Sequence, residues 1–242
     1  MVSAEFTLVS IHRSGHQKLD RQAKHNETFT ETKMAERISP DHPGFRRTFL
    51  TFQLRKGFIP WICTKRNPFR TAFFKRYAWV SKYSKNAEVL DVPCGMGWGT
   101  SLIKGTKSVV GIDIDKESIE QANSLYADSA TFQEGSMSQL EFENESFDLV
   151  VCLEGIEHVS KDIAMSFIDE SFRVLKSGGK LLVSSPHTES GEHSGNPYHI
   201  HEYQTEEMKE VLKRRFEIIE HNSSHVSNLI VDFFACQKPI TK

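Results

Sequence analysis

From about residue 87 onward, short apolar runs alternate with amphipathic stretches in a regular rhythm. Residues 88–92 read as a strand, followed by a glycine-rich turn and a helix near 100–104. A second strand at 108–112 leads to a helix at 116–126, with Asp115 placed to cap it and Ile119, Ala122 and Tyr126 forming its apolar stripe. A short strand at 130–133 comes next. The unbroken apolar run at 147–153 suits a central parallel strand buried on both faces. A helix at 162–176 is expected to stop at Gly178-Gly179, a C-terminal cap signal, before a strand at 181–185. A long loop over 186–203, a helix at 206–214 and strands at 216–220 and 229–236 complete the pattern. Alternating strands and helices predict a Rossmann-like, doubly wound, mostly parallel α/β sheet of seven strands. The last two strands have no helix between them, so they are expected to pair as an antiparallel C-terminal hairpin.

The first 86 residues do not share this rhythm. Residues 1 to 45 are polar, with little periodicity, and read as a disordered tail. Over 46–86, aromatics such as Phe49, Phe52, Phe58, Trp61 and Trp79 interleave with arginines and lysines, and Pro60 and Pro68 divide the stretch into short helices. Charge divides the chain in the same way. Residues 1–86 hold 17 basic and 6 acidic residues; the remainder holds 13 basic and 26 acidic. Three roles fit the basic segment: a lid docked on the acidic domain, a single-stranded nucleic-acid surface, or a peripheral membrane contact. Docking accords best with the opposed charges. No apolar run approaches the ~20 residues needed to span a bilayer, and no signal-peptide core opens the chain, so a cytoplasmic location is the expectation. Cys63, Cys94, Cys152 and Cys236 form no C-x-x-C pair and read as reduced thiols. The sequence does not specify an oligomeric state.

The most informative stretch is VLDVPCGMGWGT, residues 89–100. A strand ends in Asp91 and is followed by Gly95, Gly97 and Gly99. Glycines at such a turn let the backbone bend sharply and approach a ligand closely, and ligands of these sheets bind outside the carboxyl ends of the strands. A dinucleotide site needs G-x-G-x-x-G and a helix N-terminus facing pyrophosphate. The spacing here is G-x-G-x-G, and the Asp91 carboxylate would repel pyrophosphate while attracting an ammonium group. That disfavours a nicotinamide oxidoreductase and suits S-adenosylmethionine, which carries an ammonium and a sulfonium but no phosphate. Asp113 closes the second strand, where a carboxylate can accept from ribose hydroxyls.

These motifs, with EGSM at 134–137, FDLVVCLEGIEHV at 147–159 and RVLKSGGKLLVSSP at 173–186, resemble class I S-adenosylmethionine-dependent methyltransferases over residues 77–237. The resemblance implies a cofactor contact set of Asp91, Pro93, Cys94, Gly95, Gly97, Gly99, Asp113, Ile114, Ser136, Met137, Leu153 and Glu154. Within it, Asp91, Gly95 and Gly97 would line the methionine part, Asp113 would bind ribose, and Ser136 and Met137 would flank adenine. Leu153 and Glu154 would face the sulfonium. The family usually has glycine at the position of Pro93, which removes a backbone N–H and fixes φ.

On the acceptor side, Glu154, Glu157 and His158 form an E-x-x-E-H run. It resembles metal-dependent 2′-O-methyltransferases of small RNAs and ubiquinone-pathway O-methyltransferases. By that resemblance Glu154, Glu157 and His158, joined by His201 from the long loop, would hold Mg²⁺ or Mn²⁺ as a Lewis acid beside the acceptor hydroxyl. The same E-H-V ending occurs in methyltransferases without a metal, where the histidine lines the pocket or acts as base. Glu157, His158 and His199 are the expected catalytic residues. The loop's Asn196-Pro197-Tyr198-His199 resembles small-molecule and sugar methyltransferases, where it closes over the acceptor. The expected reaction is methylation of a small-molecule or sugar-containing acceptor, at oxygen. The alternatives are an RNA methyltransferase that uses the basic segment, or a non-catalytic cofactor-binding protein.

Overall fold

The computed structural model describes residues 75–226 and 228–240. The expected tail over 1–45, and the 46–86 segment up to residue 74, lie outside them. Five parallel strands come first in space: β1 (Glu88–Asp91), β2 (Ser108–Asp113), β3 (Thr131–Glu134), β4 (Phe147–Leu153) and β5 (Leu175–Thr188). Two antiparallel strands, β6 (Glu217–Val226) and β7 (Leu229–Gln237), complete a seven-stranded sheet in the order β3-β2-β1-β4-β5-β7-β6. The doubly wound sheet and its C-terminal hairpin are therefore as expected. The order reverses between β1 and β4, so the carboxyl ends of β1, β2, β4 and β5 open on one crevice.

Helices α1 (Lys116–Tyr126), α2 (Lys161–Val174) and α3 (Thr205–Lys213) flank the sheet. The Asp115 carboxylate accepts the Ser118 N–H and caps α1 as its sequence predicts. Ser160 caps α2 in the same way, through Ile163. One face of the sheet packs Phe167, Ile168 and Val174 of α2 and Met208 and Leu212 of α3 against Leu181, Val183 and Phe234. The other face packs Trp79, Val80 and Ile103 against Val89, Leu149, Val151 and Leu182. A side chain of this size contributes about 1.5–3 kcal/mol when fully buried, so these two layers hold the strand ends in place.

Four expectations change. The helix near 100–104 is a single 3-10 turn, Thr100–Leu102, because Ile103 is already extended and Gly105 has φ 75°. Gly178-Gly179 does not cap a helix. The chain leaves α2 at Leu175 directly into β5, and Gly178 (φ 74°) and Gly179 form an irregular stretch where the pairing with β4 shifts register. A Cβ on Gly179 would lie 2.9 Å from the Lys176 carbonyl oxygen, so the glycine allows that close turn. Pro186, His187 and Thr188, expected in the loop, extend β5. Past Ser184 only β7 pairs with β5, the edge situation in which proline is tolerated. Finally, the boundary expected at 86 falls inside packed structure. Residues 75–80 are helical, and buried Trp79 and Val80 belong to the core.

Cys94, Cys152 and Cys236 are buried. No helix among the described residues is long and apolar enough to cross a membrane.

Candidate active site

Asp91 ends β1 fully buried. The Thr100 hydroxyl donates to its Oδ2 at 2.7 Å, while Oδ1 meets no donor. Burial pushes the carboxyl up to about 7, against the pull of that hydrogen bond. A buried acceptor left unsatisfied costs about 1–3 kcal/mol. An arriving ammonium group would supply the missing donor and favour the charged form.

The three glycines of the turn serve three purposes. Gly95 (φ 54°) directs its N–H to Asp113 Oδ2 at 2.8 Å and so ties the turn to β2. Gly97 (φ 76°) lies against α1 and β3, where a Cβ would be 2.7 Å from Ala122 and Phe132. Gly99 makes room for a protein side chain, since a Cβ there would sit 2.1 Å from the Tyr77 ring and hydroxyl. The Tyr77 phenol is pushed well up by burial and then by Asp91 and Cys94. Thus Gly99, expected as a cofactor contact, also provides a seat for the helical segment at 75–80. The Cys94 N–H donates to the Ile112 carbonyl, holding the turn in register with β2. Pro93 follows a cis peptide bond, and its ring lies where a side chain on Gly155 would collide, at 2.3 Å. The proline that departs from the family pattern therefore packs against the glycine after Glu154.

At the end of β2, buried Asp113 accepts from Gly95 through Oδ2 and from Asp115 N–H through Oδ1 at 2.9 Å. Its place at the carboxyl end of β2 is where a bound ribose would lie. Ile114 next to it is 62% exposed, an apolar side chain placed to meet one face of a flat ring. Ser136 bonds Ser138 at 2.8 Å, and Met137 is buried. Leu153 is buried at the end of β4. Glu154 has φ 51°, uncommon for a non-glycine residue and concentrated at functional positions. Its carboxylate accepts from Arg76 at 3.0 Å and from the Ser184 hydroxyl at 2.7 Å.

The acceptor side lies just beyond. Glu157 is fully buried, and among the described residues no donor meets its carboxylate oxygens in good hydrogen-bond geometry, although the Ser185 hydroxyl lies beside them. Burial, and then the charge of Glu154, pushes its carboxyl well above the usual range. His158 Nδ1 lies 2.9 Å from the Tyr198 carbonyl oxygen, which can only accept. Nδ1 therefore carries the proton and Nε2 is the basic nitrogen, 4.0 Å from Glu157 Oε1. His199 packs edge-on against His158, ring centroids 5.1 Å apart. Its Nδ1 donates to Glu202 at 2.5 Å and its Nε2 accepts from the Asn196 amide at 2.9 Å. The amide orientation follows from Asn196 Oδ1, which takes the Tyr198 N–H at 3.1 Å. The loop is pinned to the site by the Ile200 N–H, which donates to the Glu157 carbonyl at 2.8 Å.

The three expected catalytic residues, Glu157, His158 and His199, are thus brought together, with ligand-capable atoms within 4.8 Å of one another. The four-residue metal set is not assembled. Glu154 is held by Arg76 and Ser184, and His201 Nε2 turns to the Glu207 carboxylate at 2.9 Å. Arg76, Tyr77, Ser184 and Glu202 were absent from the expected site, whereas Asn196 lies in the loop stretch expected over the acceptor. Arg76 and Tyr77 stand at the start of the stretch over which the family resemblance runs, but no motif marks either as a site residue, and Ser184 and Glu202 gain their contacts only through tertiary structure.

Residues 89–179 match a family described as a methyltransferase domain. A probable S-adenosylmethionine-dependent methyltransferase of Mycolicibacterium smegmatis is 31% identical over 131 residues, covering 52% of this chain and 50% of that protein. A sterol 24-C-methyltransferase of Debaryomyces hansenii is 36% identical over 104 residues, covering 40% of this chain and 27% of that protein. The matched stretch thus spans half or less of these relatives' length. A solved S-adenosylmethionine-dependent methyltransferase from Methanosarcina mazei shares the fold, with TM-score 0.59 and 24% identity over 67% of this chain and 98% of its own.

Proposed function

We infer that this chain, which carries a class I S-adenosylmethionine-dependent methyltransferase domain, moves a methyl group to a hydroxyl oxygen of a small-molecule or sugar-containing acceptor. The residues fit the cofactor in three ways. Among the described residues Asp91 Oδ1 lacks a donor, which an ammonium would supply; Asp113 stands at the end of β2 where ribose would bind; and exposed Ile114 offers a face for adenine. When bound, the cofactor supplies an electrophilic methyl carbon whose C–S bond breaks, with its electron pair left on sulfur, as the acceptor oxygen attacks.

The chain's own contribution is orientation and proton handling. The observation that carries the reading is the tautomer of His158. Its Nδ1–H is held by the Tyr198 carbonyl, so Nε2 can take the acceptor's hydroxyl proton as the oxygen bonds to carbon. The Glu157 carboxyl, 4.0 Å from Nε2, lines the place where that proton arrives. A carbon acceptor, such as the name of the sterol relative denotes, needs a base at a different point of the reaction. Asn196 and Tyr198 sit over this pair and would contact the acceptor.

Mg²⁺ or Mn²⁺ has no part in this reading. Glu157 and His158 could serve as ligands, but His199 would first have to release the amide of Asn196. No step is therefore routed through a metal.

The test is transfer of labelled methyl from S-adenosylmethionine to a panel of phenols, sugars, carbon acceptors and RNA. Label on a hydroxyl acceptor, lost in His158→Ala, supports the reading. Label only on carbon, or only on RNA, overturns it.

A further inference from the structure

A buried carboxylate outside the crevice gathers four side chains at the C-terminal edge of the sheet. Asp232 lies in the middle of β7, only 2% exposed. Its Oδ2 accepts from the Thr205 hydroxyl at 2.6 Å and faces His187 Nε2 at 3.1 Å. Its Oδ1 accepts from the Ser223 hydroxyl at 2.6 Å and faces His221 Nε2 at 3.1 Å. His187 is itself buried, with Nδ1 donating to the Thr188 carbonyl at 3.1 Å. Although burial raises it, the hydroxyls of Ser223 and Thr205 and the two imidazoles hold the Asp232 carboxyl below the usual range. The hub is therefore ionised near neutral pH.

The positions of these partners matter. His187 and Thr188 are the last residues of β5, and Thr205 is the first of α3. Between them runs the loop of 189–204 that carries Asn196, Tyr198, His199 and Glu202. One carboxylate thus fastens both ends of the loop that covers Glu157 and His158. Within the loop, Glu202 organises the tip through Ser194 and His199. Ser185, register partner of Asp232 and beside Glu157, lies between the hub and the crevice.

We propose that Asp232 is a positioning residue for the acceptor side: by tying His187 and Thr205 together it fixes the stance of the 189–204 loop, and through it the orientation of His199 and the Tyr198 carbonyl that sets the His158 tautomer. It touches neither cofactor nor acceptor. The proposal rests on the acceptor-side reading above.

The closing experiment uses full-length protein and imidazole ¹H–¹⁵N spectra, with and without S-adenosylhomocysteine, alongside amide hydrogen exchange. Thr205→Val removes the hydroxyl at constant shape, Thr205→Ser restores it, and Asp232→Asn provides a second, independent lesion. Loss of a hydrogen bond to a charged acceptor should speed exchange over 189–204 by about tenfold or more in Thr205→Val and Asp232→Asn. The His158 and His199 ring signals should shift in both. Thr205→Ser should match wild type, and affinity for S-adenosylhomocysteine should stay within about twofold throughout, because no cofactor contact changes. Unaltered His158 and His199 signals in a folded Thr205→Val or Asp232→Asn would overturn the proposal. Failure of wild type to bind S-adenosylhomocysteine would instead overturn the functional reading, and the ring signals would still decide the role of the hub.

Discussion

The crevice has two sides built on different principles. On the cofactor side, shape comes from backbone: three glycines, a cap at Asp115, and a carboxylate, Asp113, bonded to two main-chain N–H groups. On the acceptor side, shape comes from side chains far apart in sequence: His158 set by Tyr198, His199 by Asn196 and Glu202, and Glu154 by Arg76 and Ser184. A backbone cradle tolerates little change and suits one constant ligand. A side-chain network can be re-cut residue by residue, which suits a ligand that differs among relatives.

The sharpest way to break this contrast is His158→Ala. Removing a general base should lower methyl transfer to a hydroxyl acceptor by about 10²–10⁴-fold, with affinity for S-adenosylhomocysteine unchanged by calorimetry. A parallel loss of affinity would mean that the two sides are not separable. Gly97→Ala attacks the cradle instead. A Cβ at 2.7 Å from Ala122 and Phe132 on a φ of 76° combines overpacking with left-handed strain, together about 2–4 kcal/mol. Thermal unfolding should report that loss, and cofactor binding should fall with it.

Asp91→Asn should divide binding from stability. The lost charge-assisted contact is worth about 1.5–3 kcal/mol, or roughly ten- to a hundredfold in affinity for S-adenosylhomocysteine. The cofactor-free protein should meanwhile melt no lower than wild type. The sign follows from Asp91's folded value of about 7 against an ordinary 3.8. A carboxyl raised on folding favours the folded state at low pH, and that contribution is lost as pH rises from about 4 toward 7. The advantage of Asn over Asp should therefore grow across that window. For wild type, affinity should fall by up to tenfold for each pH unit below about 7, since the ammonium needs the ionised form. A flat profile from pH 5 to 8 would place the ammonium elsewhere. Last and smallest, a chelator should leave both affinity and transfer unchanged. A chelator-sensitive rate would restore a metal to Glu157, His158 and His199.

The same contrast explains what could be read from the chain. Asp91, the glycines and Asp113 are adjacent to strand ends that announce themselves by apolar runs, so the mostly parallel sheet and its antiparallel C-terminal hairpin were legible. Glu157, His158 and His199 were legible as residue types, and the structure brings them together. Glu202, which holds His199, and Ser184, which holds Glu154, were not: they are common polar residues whose contacts exist only once loop and sheet meet. Gly178-Gly179 misled because the same pair serves a helix end and a strand irregularity, and only the pairing with β4 decides between them. The polar run Asn222–His225 gave no strand signal, yet β6 continues through it. An edge strand exposes one face to water, and Ser223 and His221 find Asp232 on the other.

Asp91 and Asp113 are proposed to frame a site for a sulfonium nucleoside carrying an ammonium group. Calorimetric titration of wild type, Asp91→Asn and Asp113→Ala with S-adenosylhomocysteine at pH 7.5 (a choice of about half a unit above the Asp91 value) tests it most directly. Wild type should show one site per chain, Asp91→Asn weakened binding and Asp113→Ala none measurable. Absence of heat in wild type, or equal affinity in all three proteins, would contradict it.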